Sequence, residues 1–369
     1  MKIVSTLILI CFSLCPVQAD PLSQPLKALD QHITQQIEAG KAVGCAVAVI
    51  SQGKVVFTKA YGVKKKGESD PVDLNTVFQL GSVSKPIAAT LIGVLQKKKL
   101  LSVKDAMVTY YPNVSPHITL EHLLSHTAGY IRKGWNNKIE AGETRETLLP
   151  LLVKSKHNVP GEIFDYHNLG YSLLEEAIAK TCQQPFEEAL ETKLFVPLGM
   201  TQTTAGFTKF NLQKNRVWPH QQKKDKSFYP SKQYSHLYHK AVCASAGVNS
   251  TIQDMARFLQ LQMGYQQDIL TAQDLTPFHT PLTPALDGHY QFKEKLKSSH
   301  YGLGWRIIEY THGRLVFHGG YLKGFGNFVA FMPDQDIGIV VLHNGEGPFA
   351  KDAAMTFFDA YKKREASGS

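Results

Sequence analysis

The sequence predicts a mixed α/β fold: an antiparallel sheet flanked by N- and C-terminal helices, with a mainly helical lobe inserted between its two halves. Three observations carry this expectation. Runs rich in branched and aromatic residues, bounded by Gly, Asp or Pro, lie near both ends of the chain. The long stretch between them is helical or irregular in pattern, and each end also carries one segment with helical apolar spacing.

The first residues read as a separate unit. Lys2 gives a positive start, Ile3 to Leu14 is almost wholly apolar, and Val17-Gln18-Ala19 is a small-x-small exit before Asp20. That is the layout of a secretory signal peptide over residues 1–19, so the chain is expected to be exported to the periplasm or beyond and cut near Ala19. No later stretch approaches the roughly 20 apolar residues of a membrane helix, so no transmembrane anchor is expected.

The remaining elements follow in order. Leu26 to Ile37 has the spacing of an amphipathic helix, and Val43 to Ile50 with Val55 to Ala60 reads as a hairpin across Ser51-Gln52-Gly53-Lys54. Ser84 to Gln96 is apolar on nearly every face, as a central helix must be, and Pro86 is tolerated if that helix begins near Ser82. Helical segments are expected at Leu120 to Leu124, Thr147 to Lys154, Tyr171 to Lys180, Pro185 to Leu194 and Thr251 to Leu261. Phe210 to Lys240 reads as a long irregular excursion, either solvated or lining a site. Strands return at Leu303 to Glu309, Arg314 to Phe317, Asn327 to Phe331 and Ile337 to Leu342, before a closing helix at Phe349 to Lys363. Residues 20–105 and 291–369 would then form the sheet domain and 106–290 the inserted lobe. A cleft is expected in the seam.

Composition narrows the functional classes. The whole chain carries a formal charge of +9 and Lys2 is the one charged residue before Asp20, which leaves +8 on residues 20–369. This suits an anionic partner. Lys64-Lys65-Lys66 and Lys97-Lys98-Lys99 read as solvated turns and helix ends, with no nucleic-acid module around them. Beyond residue 19 only Cys45, Cys182 and Cys243 remain, which is no disulfide framework, and no His or Cys spacing suggests a closed zinc site.

Chemistry concentrates at three places. Ser82 and Lys85 stand three residues apart, so on a helix they share a face about one turn apart, with Ser82 near unpaired N-terminal N–H groups. A serine hydroxyl needs a base, and a lysine can serve where burial or nearby positive charge keeps its amine neutral. The competing reading makes Ser84 a helix cap and Lys85 a snorkelling surface residue. Tyr166-His167-Asn168 follows the Pro160-Gly161 turn and precedes a helix. Tyr166 can share the Ser82 proton while Asn168 orients a substrate carbonyl; otherwise Tyr166 packs in the core and Asn168 caps the helix. His318-Gly319-Gly320 ends a strand-like run. His318 can face a substrate carboxylate or be merely structural. Gly320 lets a substrate approach backbone, and the Tyr321 N–H can complete an oxyanion hole with that of Ser82.

Taken together, Phe78-Gln79-Leu80-Gly81-Ser82-Val83-Ser84-Lys85, Tyr166-His167-Asn168 and His318-Gly319-Gly320 resemble the three ordered motifs of the penicillin-recognising serine hydrolases. Class C β-lactamases, D-alanyl-D-alanine carboxypeptidases and related esterases make up that family. The stretches 122–129, 250–257, 302–305 and 324–331 resemble the class C branch, so the likeness spans roughly Leu26 to Lys363. It implies that Ser82 is the acylated nucleophile and that Lys85 and Tyr166 move the proton. Asn168 would orient substrate, and the backbone N–H groups of Ser82 and Tyr321 would form the oxyanion hole. No metal or organic cofactor is implied. The expected substrate is a small β-lactam or a peptidoglycan-derived amide, with a small or lipid-like ester, or penicillin binding with little turnover, as alternatives. His318 departs from the class C pattern, which usually has lysine there; a neutral ring would attract a substrate carboxylate less.

Overall fold

The computed structural model of the chain describes residues 21–232, 236–284, 296–310 and 313–367. Residues 1–19, expected to be a signal peptide, and Tyr234 of the basic excursion lie outside the described residues. Helix α1 (Ser23–Glu38) buries Leu29 and Ile33, one turn apart, and carries Pro25 in its first turn. Strands β1 (Gly44–Ser51) and β2 (Lys54–Gly62) form the expected hairpin. Helix α2 (Ser84–Lys97) is buried continuously from Ser84 to Leu95, which is why its sequence lacks a polar face.

The second half of the sheet comprises β3 (Thr283–Pro284), β4 (Leu296–Tyr301), β5 (Arg306–Tyr310), β6 (Gly313–Leu322), β7 (Phe325–Met332) and β8 (Ile337–His343). Before β3 comes helix α3 (Ile252–Gln262), and after β8 comes helix α4 (Phe349–Ser367). Among the described residues the strand order is β2-β1-β8-β7-β6-β5-β4-β3, antiparallel throughout. The first strands of the chain therefore pair directly with the last, Val47 opposite Val341.

Alternation divides this sheet into two apolar faces. Cys45, Val47, Val49, Ala330, Ile339 and Val341 pack outward against Leu29 and Ile33 of α1 and Ala353 and Phe357 of α4. Ala46, Ala48, Ile50, Val329 and Val340 pack inward with α2, α3 and the helices of the lobe. The thiols of Cys45, Cys182 and Cys243 are free, the first and last of them buried. No helix among the described residues is long and apolar enough to cross a membrane.

Several expectations change in detail. The strand expected at Leu303 to Glu309 begins only at Arg306, because Gly302 donates to the Trp305 carbonyl at 2.8 Å and closes a turn first. Strands β3 and β4 carry no strong apolar alternation and were not expected; β3 is the edge strand and lies inside the stretch assigned to the lobe, and β4 is the strand next to it. The excursion at Phe210 to Lys240 is partly regular. It holds the end of a helix at Phe207–Leu212, a small pair of strands at His220–Gln222 and Phe228–Pro230, and a helix at Leu237–Ala241. Helix α2, from the N-terminal segment, runs through the lobe, against Cys243–Ala246.

Buried histidines make the fold sensitive to acid. Burial lowers His239 and His167 to about 4 and His343 to about 3. Unfolded histidines take up protons below ~6.5, whereas these rings resist until their lower folded values, so stability present above ~6.5 is lost as pH falls. Urea melts between roughly pH 7 and pH 4 should show stability falling, each ring contributing up to about 1.4 kcal/mol per pH unit. A flat profile over that window would contradict the buried neutral rings.

Candidate active site

The site begins with a meeting of two backbones. Gly81–Val83 forms a 3₁₀ turn that leads into α2, and it lies against β6. A Cβ on Gly320 would stand 2.0 Å from the Leu80 carbonyl oxygen. One on Gly81 would stand 2.9 Å from the Tyr321 nitrogen and 3.0 Å from its carbonyl carbon, and Gly81 also has φ +58. Two positions without side chains thus bring Ser82 and Tyr321 to the same wall. What Gly320 accommodates is the turn carrying Ser82, rather than the substrate that the sequence alone suggested.

Lys85 is fully buried, which removes the snorkelling reading. Ser84 does not cap the helix with its side chain; its hydroxyl accepts from the Val248 N–H at 2.9 Å. The Lys85 Nζ donates to Asn168 Oδ1 at 2.8 Å and to the Ser245 carbonyl at 3.2 Å, and it stands 3.4 Å from Ser82 Oγ. Burial first, and then the Arg306 charge, push this amine well below the usual lysine range. A neutral amine has two N–H donors and one lone pair. The two acceptors can take both donors, which leaves the lone pair for the Ser82 proton.

Tyr166 and Asn168 arrive on the loop and short helix that the Pro160-Gly161 turn introduces. The Lys85 Nζ is 4.5 Å from the Tyr166 ring centroid, and His126 packs on that ring at 4.3 Å between centroids. The helix Asn168–Tyr171 is capped by His167, whose Nδ1 accepts from the Gly170 N–H at 2.9 Å, so Asn168 is not the cap. The Asn168 amide also donates to Asn136 Oδ1 at 3.2 Å. Ser245 Oγ donates to the Asn168 carbonyl at 2.8 Å.

The structure places His318 differently from the expected substrate contact. It is 1% exposed; its Nδ1 lies 2.8 Å from the Gly319 carbonyl and its Nε2 3.0 Å from the Tyr301 hydroxyl. A neutral ring protonated at Nδ1 satisfies both contacts, donating to the carbonyl and accepting from the phenol. Burial first, then Arg306 and Lys85, hold it well below the ordinary histidine value. His318 is therefore an uncharged part of the wall.

Outside this shell a cleft of about 830 Å³ is lined by Ser82, Asn136, Asn168, Tyr238, Tyr321 and Glu346, among others. Tyr238 comes from the basic excursion and donates its hydroxyl to Glu140 at 3.0 Å. Sequence reasoning missed Asn136, Ser245 and Arg306. The small-residue run Ala244-Ser245-Ala246-Gly247 was a signal for close packing against α2. For Arg306 the signal was a lone cation beside Trp305 in an apolar run. Among the described residues no group of three or more His, Cys, Asp or Glu side chains is placed to hold a metal ion.

Comparison with known proteins bears on the family and the fold. A family model described as Beta-lactamase matches residues 29–362. A protein described as β-lactamase from Escherichia coli (strain K12) is 26% identical over 378 aligned residues, covering 89% of this chain and 91% of that protein. Protein flp from Staphylococcus aureus (strain COL) is 24% identical over 86% of this chain, which spans 62% of that longer protein. Among solved structures, an octameric penicillin-binding protein homologue from Pyrococcus abyssi superposes with a TM-score of 0.80 at 22% identity. The match covers 93% of this chain and 78% of that one, a likeness of fold.

The glycine contact yields a direct test. Gly320→Ala should cost about 1–3 kcal/mol by overpacking. If Ser82 is the reactive serine that the sequence leads one to expect, its labelling by a fluorophosphonate should also slow by about 100-fold, because the turn must shift away from Tyr321. Denaturant melts and mass-spectrometric labelling measure the two effects. Unchanged labelling would show that the close approach does not position the serine.

Proposed function

The chain belongs to the β-lactamase family, and from that premise we propose that it is a serine hydrolase acting through an acyl-enzyme on Ser82. The observation that carries this is the Lys85 amine: buried, held by two acceptors, and 3.4 Å from the Ser82 hydroxyl. In this reading a substrate carbonyl enters the cleft with its oxygen between the N–H groups of Ser82 and Tyr321. Ser82 Oγ bonds to the carbonyl carbon as its proton passes to the Lys85 and Tyr166 pair. The bond to the leaving nitrogen or oxygen then breaks, and the same pair returns the proton to it. Water attacks the ester in the second half and releases the acid. Asn168 orients the substrate amide, and no step needs a cofactor.

The proposed substrate is a β-lactam or a peptidoglycan-type amide, as the similarity to a β-lactamase and to a penicillin-binding protein homologue suggests. A second reading, hydrolysis of small or lipid-like esters, is favoured by one feature. His318 is neutral and buried, so that position offers no charge to a substrate carboxylate. We also propose export, supported by the signal-like layout of residues 1–19, which N-terminal sequencing of the processed protein tests.

Three substrates separate the readings: a chromogenic cephalosporin, a D-alanyl-D-alanine peptide and a p-nitrophenyl ester, with intact mass followed in parallel. Turnover of the first or second, lost by at least ~1000-fold in Ser82→Ala, is the expected result. Rapid turnover of the ester alone would replace the amide reading with the esterase one. A lasting adduct without turnover would make the protein a penicillin binder. Full activity in Ser82→Ala would overturn the mechanism.

A further inference from the structure

Beside the serine and lysine lies a second cation that the proposed steps do not use. Arg306 opens strand β5, is 4% exposed, and pairs across the sheet with Tyr301 on β4 and Phe317 on β6. Its guanidinium carbon stands 5.3 Å from the Tyr166 ring centroid and 5.5 Å from that of Tyr301. The Lys85 amine stands 4.5 Å from the same Tyr166 ring, so the two cationic side chains share one phenol between them. Tyr301 in turn meets His318 through its hydroxyl.

The chemistry of the two cations differs. A guanidinium stays charged at every pH a protein experiences, whereas an ammonium gives up its proton when burial and a neighbouring charge disfavour it. Two positive charges in one buried pocket cannot both persist cheaply, so the lysine is the one that yields. Among the described residues, the other groups facing Lys85 add no fixed charge. His126 packs from the loop after Leu120–Leu124, His167 and Tyr171 from the segment bearing Asn168, and His318 from β6. The three rings are held neutral, and burial keeps the Tyr171 phenol protonated. Ser245 presents only its carbonyl, and Glu175 behind Ala244 is paired with Arg145.

We propose that Arg306 is a positioning residue for the reaction, supplying the fixed positive charge that keeps the Lys85 amine ready to accept the Ser82 proton. The same charge steadies negative charge that builds on the Tyr166 oxygen while a proton is in transit. It does so from a neighbouring strand, behind the rings, without touching substrate. The proposal rests on the acyl-enzyme reading of Ser82, and it identifies which charge sets the pH range of that chemistry.

Labelling of Ser82 by a fluorophosphonate tests it, because that reaction needs neither a known substrate nor turnover. The serine oxygen bonds to phosphorus, fluoride leaves, and the serine proton passes to the site base. Rates are followed by intact mass from about pH 5 to about pH 11, which brackets the ordinary lysine value of ~10.4. The full-length protein is compared with Arg306→Met and Arg306→Lys, each checked by a thermal melt.

The expected result is a wild-type acid limb well below the ordinary lysine value. Removing the charge raises the amine's affinity for its proton, so in Arg306→Met the limb moves up by about 1 pH unit or more. Labelling near neutral pH then falls by about tenfold or more and recovers in alkali. Arg306→Lys keeps the limb where the wild type has it. A folded Arg306→Met that slows equally at all pH, or an unmoved limb, would overturn the proposal and leave the acyl-enzyme reading standing. Should Arg306→Met not fold, Arg306→Gln, which also removes the charge, is read in its place: an unmoved limb overturns the proposal, and a raised one supports it. Absence of any Ser82 labelling in the wild type would overturn both readings.

Discussion

A lysine with no exposed surface governs the rest of this structure. Charged, Lys85 would be costly to bury; neutral, it becomes a base with two donors to satisfy and a lone pair to aim. The surrounding elements answer each requirement. Asn168 and the Ser245 carbonyl take the donors, and the turn at Gly81–Val83 places Ser82 before the lone pair. The rings of Tyr166 and Tyr171 stand beside the amine, His126 packs on the first of them, and burial followed by the Arg306 charge disfavours its proton. Few of these residues make sense singly, since each is polar or charged in a place where apolar packing would be simpler.

Much of the fold was legible because the pattern of burial is written in the sequence. β1 and β8 alternate between two apolar faces, and α2 lacks a polar face because it has no wet side. Strands β3 and β4 were not legible. They form the last two strands at one end of the sheet, where β3 is only two residues long and covers little of β4, so little alternation is demanded. The beginning of β5 was misplaced for a different reason: Gly302 to Trp305 is apolar enough for a strand, yet a local hydrogen bond closes it into a turn.

The candidate site divides in the same way. Ser82 and Lys85 could be paired because helical geometry fixes neighbours three residues apart, and Tyr166 with Asn168 stood out as polar groups at a helix entrance. His318 was legible as a position but not as an environment, since nothing in the sequence says that Tyr301 will cover it. Arg306, Ser245 and Asn136 depend wholly on tertiary register. Each comes from a different segment, and each acquires meaning only from what stands across from it.

The contact between the Gly81 turn and the Gly320 strand joins residues more than two hundred positions apart in the chain. A ribosome that has released only the first three hundred residues has made Ser82, Lys85 and Tyr166, but not the strand that Ser82 stands against. The wall of the site therefore cannot close until β6 has been made, whatever the earlier helices have already formed.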